Sequence, residues 1–138
     1  MIQVKISGDF LFRAIVRGAE YHSAPWRPPG EREMPHYVLL FDRPADIDAT
    51  GYRARSKNWI AELVRLNGFQ EFSAHWNALD TSPNTMVLIR LESTEAALEA
   101  LSNPAILDMF EDMRHHGCRN IVTHAFRSSE VAPDPIIR

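Results

Sequence analysis

The chain has 138 residues, enough for one domain core, with 45% hydrophobic and 24% charged residues. Those proportions argue against wholesale disorder. A net charge of −3 without a long basic run carries no nucleic-acid footprint. No apolar run approaches the ~18 residues that a membrane span needs. The start, MIQVKISGDF, lacks the charged, apolar and small-residue succession of a signal peptide, so a cytoplasmic location is expected. The single cysteine, Cys118, cannot form an internal disulfide, and no Cys/His spacing resembles a zinc site, so no metal is expected.

Residues 1–34 stand apart from the rest of the chain. IQVKI-SGD-FLFRAIV reads either as a hairpin turning at Ser7-Gly8-Asp9 or as a helix capped by Asp9. SAPWRPPGEREMP is a proline-stiffened loop. Tyr21, His22, Trp26 and His36 gather around it, as loop contacts or as an aromatic lid.

Pro35 to Pro44, PHYVLLFDRP, is a short apolar run of strand length, buried on both faces. Asp48 can cap a helix reaching about Leu66, with Trp59 and Leu63, Ile60 and Val64 on one stripe and Asn67-Gly68 as its stop. FQEFSAHWNAL is the second strand, DTSPN a turn, and TMVLIRLES an antiparallel third strand. Ser93 or Thr94 starts a helix over TEAALEAL. Ser102 or Asn103 recaps it with Pro104 at the first helical position. The continuation to Gly117 places Ile106, Leu107, Phe110 and Met113 on one side. NIVTHAFRS is the fourth strand, and residues 129–138 form a tail. The order is βαββαβ, so residues 35–128 are expected to form an α+β, ferredoxin-like domain. Its sheet would have four antiparallel strands, with the helices on one face.

The other sheet face then needs a cover. Neither face is made for water, and a large exposed apolar patch marks an interface, so a sheet-on-sheet homodimer is expected. The strand order, EFSAHWNAL, and LSNPAILDMFEDMRHHGCRNIVTHAFR resemble the dimeric α/β-barrel superfamily, which includes antibiotic-biosynthesis monooxygenase-type domains, cyclases and isomerases. The resemblance covers roughly Pro35 to Arg127 and is architectural. It implies a pocket in each subunit between the sheet and its own helices, without fixing a reaction.

In EFSAHWNAL, His75 and Asn77 point to one face and Trp76 to the other. That alternation speaks against the haem-degrading branch, whose members resemble one another in an Asn, Trp, His trio. Trp76 reads as a contact residue. Glu71, Ser73, His75 and Asn77 form a polar row, which Arg90 can join. A buried polar row is costly unless hydrogen-bonded or lining a wet cavity. It lines the pocket beneath the helices, lies along the seam between subunits, or is an internal network that sets dimer register.

As a pocket, the row carries chemistry. A neutral histidine can move a proton on a phenol, an enol or an activated carbon. His75 and His124 are the expected catalytic bases, and Asn77 steers a carbonyl or oxyanion. Arg90, Ser73, Trp59, Phe110 and Tyr37 are the expected substrate contacts. His115 and His116, about 100° apart on a helix, share a metal poorly and suit the helix C-terminus. Cys118 reads as a small buried hydrophobe. No flavin or nicotinamide signature occurs, so no cofactor is expected. The leading reading is a cofactor-independent cyclase or isomerase of an aromatic or polyketide-like metabolite. A cofactor-free monooxygenase acting on a phenol is the alternative, and a non-catalytic ligand-binding dimer the third.

Overall fold

The computed structural model describes residues 34–138; the expected N-terminal hairpin or helix, and Tyr21, His22 and Trp26, lie outside them. Four strands and three helices occur in the order β1 (His36–Asp42), α1 (Ala49–Leu63), β2 (Phe69–Trp76), β3 (Thr85–Leu91), α2 (Thr94–Ala100), α3 (Pro104–His115) and β4 (Arg119–Phe126). The strands pair antiparallel in the order β2-β3-β1-β4, giving the ferredoxin-like α+β fold.

Local chemistry sets the helix boundaries. The Asp48 carboxylate accepts from the Gly51 amide at 2.7 Å, the Ser93 hydroxyl from that of Ala96 at 3.0 Å, and the Asn103 amide oxygen from those of Ala105 and Ile106. Each satisfies a donor that a helix start leaves open. Pro104 sits where its missing N–H is harmless. α1 ends at Leu63, earlier than the glycine signal implies. Residues 64–69 continue as tight turns, Leu66 N–H to Leu63 O and Phe69 N–H to Leu66 O. Gly68, at φ 77°, closes that turn rather than capping the helix.

The core lies between one sheet face and the helices. Tyr37, Leu39 and Phe41, Val87, Ile89 and Leu91, and Phe72 meet Trp59, Leu63, Ile106, Met109, Phe110 and Met113. Trp59 Nε1 donates to Asp112 Oδ2 at 2.8 Å, joining α1 to α3 with the polar edge of a buried ring.

Two facings depart from regular alternation or from the expected stripe. Phe69 packs with the core rather than on the Glu71 side, because Phe69 pairs with Leu91 and Glu71 with Arg90. The extra residue, Gln70, is a bulge that flips the alternation. On α3, Met109 is buried and Leu107 is 47% exposed, because the stripe runs through residues 106, 109, 110 and 113 at helical spacing. No helix among the described residues is long and apolar enough to cross a membrane.

Candidate active site

The sheet face turned away from the helices carries Ser73, His75, Arg90 and His124 of the residues expected in the site. Strand register places its side chains in three cross-strand rows: Glu71–Arg90–His36–Phe126, Ser73–Leu88–Val38–His124, and His75–Met86–Leu40–Val122. The two central strands supply an apolar floor of Leu88, Val38, Met86 and Leu40. Val38 is buried and the other three are half-buried. The edge strands supply polar walls, His75 and Ser73 on β2 and His124 on β4, with Val122 and Phe126 exposed beyond the floor.

His75 Nε2 lies 3.2 Å from Ser73 Oγ, two residues back on the same strand. One strand over, Arg90 Nη2 lies 3.3 Å from Glu71 Oε2, in a half-exposed pair. The Arg90 Nε–H is buried without an acceptor. The pair holds the guanidinium against the floor and leaves part of its donor capacity free. His36 Nδ1 is 2.9 Å from the Met34 carbonyl, so that nitrogen donates to it. The His124 ring leans on Phe126 at 5.7 Å between centroids.

Of the residues expected in the site, Ser73, His75, Arg90 and His124 share this face. His75 and His124 stand on opposite edge strands, three strand spacings or roughly 14 Å apart, so they do not address one substrate atom within a subunit. Asn77 is on the same side but belongs to the β2–β3 turn. Its amide donates to Thr81 O, Thr81 Oγ1 and Pro83 O, and its oxygen accepts from the Leu79 amide. Tyr37, Trp59 and Phe110 lie on the opposite side, in the core. The Tyr37 hydroxyl is buried without a well-formed hydrogen bond. Burial raises its pKa, offset in part by the neighbouring Thr123 hydroxyl.

Trp76 is 58% exposed at the end of the helix-side face. The Arg43 guanidinium covers its ring at 3.9 Å, and Tyr52 meets it edge-on at 6.4 Å. Burial also raises the pKa of Tyr52. Cys118 is fully buried, and burial pushes its thiol up to about 11, so the thiolate needed for nucleophilic chemistry is scarce near neutral pH. His116 caps α3, its Nδ1 2.8 Å from the Asp112 carbonyl. Among the described residues, no group of three or more His, Cys, Asp and Glu is placed to hold a metal.

Asp42, the last residue of β1, is the hub of the loop end. Its carboxylate accepts from Ser82 Oγ at 2.6 Å, Asn120 Nδ2 at 2.7 Å and the Asn84 amide at 2.9 Å. The Ser82 and Asn120 bonds hold its pKa below the usual carboxylate value, and the Asn84 amide and Arg43 add to this. The partners are 40 to 78 residues away in sequence, so no local signal could reveal them. A cleft of about 1050 Å³ opens at this end, and none of the expected catalytic residues lines it.

Structural comparison places this fold among solved proteins. A crystal structure of the Arabidopsis thaliana protein At3g17210 matches 69% of this chain and 95% of its own, with a TM-score of 0.55 at 17% identity. A Deinococcus radiodurans protein assigned to the antibiotic biosynthesis monooxygenases matches over 77% of this chain and 97% of its own, with a TM-score of 0.51 at 11% identity. A looser likeness, TM-score 0.45 at 16% identity, covers 71% of this chain and 92% of SnoaB, a cofactor-independent oxygenase of Streptomyces nogalater. No protein-family model matches the sequence, and no curated protein matches it. At these identities the likeness is one of fold.

Proposed function

We propose that this chain is a cofactor-independent small-molecule enzyme of secondary metabolism. In this reading a flat aromatic or polyketide-like substrate lies on the outer sheet face, inside a homodimer, and His75 moves a proton to drive cyclisation or isomerisation. The observation that carries it is the His75 Nε2 to Ser73 Oγ contact of 3.2 Å beside an apolar floor, with Arg90 held on the same face by Glu71. A ring or enol rests on Leu88, Val38, Met86 and Leu40. His75 takes a phenolic or enolic proton and returns it to another atom, with Ser73 fixing the imidazole. Arg90 offers its free donor capacity to the developing enolate.

This reading narrows the set named from sequence. Asn77 is left out because its amide hydrogens serve the turn. Tyr37, Trp59 and Phe110 are assigned to the core. His124 lies at the far edge, where it contacts a long substrate or the second subunit. The exposed Val122 and Phe126 beside the floor support a partner subunit as cover.

The test uses purified protein with a panel of phenolic and poly-β-ketone substrates. His75→Ala lowers kcat about 100-fold or more, the usual worth of a positioned acid–base group, and His124→Ala far less. Full activity in His75→Ala would rule out the assignment. The second reading is a cofactor-free monooxygenase on a phenol, which shares the deprotonation by His75 and is favoured by the fold shared with the Deinococcus radiodurans protein. Stoichiometric oxygen uptake during turnover selects it over the first.

A further inference from the structure

The cleft at the loop end of the sheet, about 1050 Å³, is built from the end of β1 with the loop after it, the β2–β3 turn, the α3–β4 junction and one residue of α1. Its volume is at the upper end of those that hold small molecules. Its chemistry depends on which of its charges are already engaged.

Asp42 is saturated, accepting from Ser82, Asn120 and the Asn84 amide. Arg43 is held as firmly: Nη1 donates to Asn84 O at 3.2 Å and Thr85 Oγ1 at 3.0 Å, its plane lies over Trp76, and Nη2 stands 3.6 Å from Asp80. These four contacts fix one wall. His116 is turned to Asp112. Three charged groups of the lining remain. Arg55, exposed on α1, makes no ion pair among the described residues. Arg119 donates from Nη1 to the Cys118 carbonyl at 2.9 Å and the Arg114 carbonyl at 3.4 Å. Those contacts orient its guanidinium while its other N–H groups stay free. Asp46, on the rim, is the single opposing charge of the three.

We propose that this cleft is a second binding site, for an oxyanion-bearing small molecule, a carboxylate or a phosphate ester, gripped between Arg55 and Arg119. The guanidinium fork matches either oxyanion. Arg119 is the anchor, because carbonyl contacts have already restricted its side chain and less rotamer entropy is lost on binding. Asp46 acts against the ligand, so removing its charge strengthens binding. The site is independent of His75 and of the sheet face that carries the proposed catalysis.

The test titrates the full-length protein with sodium phosphate and with sodium succinate, against sodium chloride at matched ionic strength. Binding is monitored by amide chemical shifts of residues lining the cleft, with Trp76 fluorescence as a second readout. Saturable shifts with phosphate, succinate or both, absent in chloride, are expected, and the stronger ligand identifies the oxyanion class. Arg119→Gln and Arg55→Gln each weaken binding roughly tenfold, the usual worth of a charge-assisted hydrogen bond. Asp46→Asn tightens it severalfold, and Arg65→Gln, in the turn after α1 and outside the cleft lining, leaves it unchanged. No saturable response up to tens of millimolar, a response that chloride reproduces, or indifference to both arginine substitutions overturns the proposal.

Discussion

Two side chains at strand ends, Cys118 before β4 and Asp42 at the end of β1, give sharp tests. Cys118 is sealed beneath the α3–β4 junction. A thiol-labelling reagent at pH 8 should leave it untouched in the folded protein and modify it only on unfolding; stoichiometric labelling without unfolding would contradict its burial. Its linkage has a definite sign. The folded thiol ionises near 11 and the unfolded one near 9, so the unfolded state gains charge first. Stability from this group is present below about 9 and lost as pH rises from there toward 11. Asp42 acts in the opposite sense. Its folded pKa is depressed, so its contribution is present above the unfolded carboxylate value and lost as pH falls through the lower, folded value. Asp42→Asn should therefore flatten the acid limb of a plot of melting temperature against pH. An unchanged acid limb would show that the three hydrogen bonds to its carboxylate do not matter to stability. The burial of Cys118 was legible in the sequence; the Asp42 hub was not, since Asp42 and Asn120 lie 78 positions apart.

Helices and strands were more legible than the contacts between them. Apolar runs, residue type and turn signals locate all four strands, and Asp48, Ser93 or Thr94, and Ser102 or Asn103 with Pro104 mark the helix starts because caps are local chemistry; the caps are Asp48, Ser93 and Asn103. What escapes is irregularity. The bulge at Gln70 turns Phe69 inward, and α1 ends before its glycine. Facing could be paired within a strand but not assigned to a side, because both sets of β3 residues, Val87/Ile89/Leu91 and Met86/Leu88/Arg90, are nearly all apolar or long. Only helix coverage decides between them. The same local logic predicts that Asn103→Ala costs about 1 kcal/mol by leaving the Ala105 and Ile106 amides uncapped. Leu63→Ala, at 2% exposure beneath α1, costs about 2–5 kcal/mol through the cavity it leaves. Equilibrium denaturation measures both. Equal losses would mean that α1 is not anchored through its buried stripe.

For the whole molecule, the distribution of covered and uncovered surface governs the account. Helices cover most of one sheet face; the other presents Val122 and Phe126 exposed beside a largely half-buried apolar floor. In the proposed homodimer a second copy covers that floor, and the substrate lies between the two. Val122→Asp with Phe126→Asp should then shift the mass in solution from dimer to monomer while leaving the circular dichroism spectrum unchanged. A wild-type chain that is already a monomer at micromolar concentration would remove the cover that the mechanism needs. The cleft at the loop end is separate from this face and should bind its oxyanion in either state.

The central claim is that the working surface is the sheet face opposite the helices. Its most direct test is a crystal structure of the protein with a bound phenolic substrate analogue. The account predicts density on Leu88, Val38, Met86 and Leu40, with a ring oxygen within hydrogen-bond reach of His75 and Arg90. An analogue lodged beneath the helices, against Tyr37, Trp59 and Phe110, would contradict it.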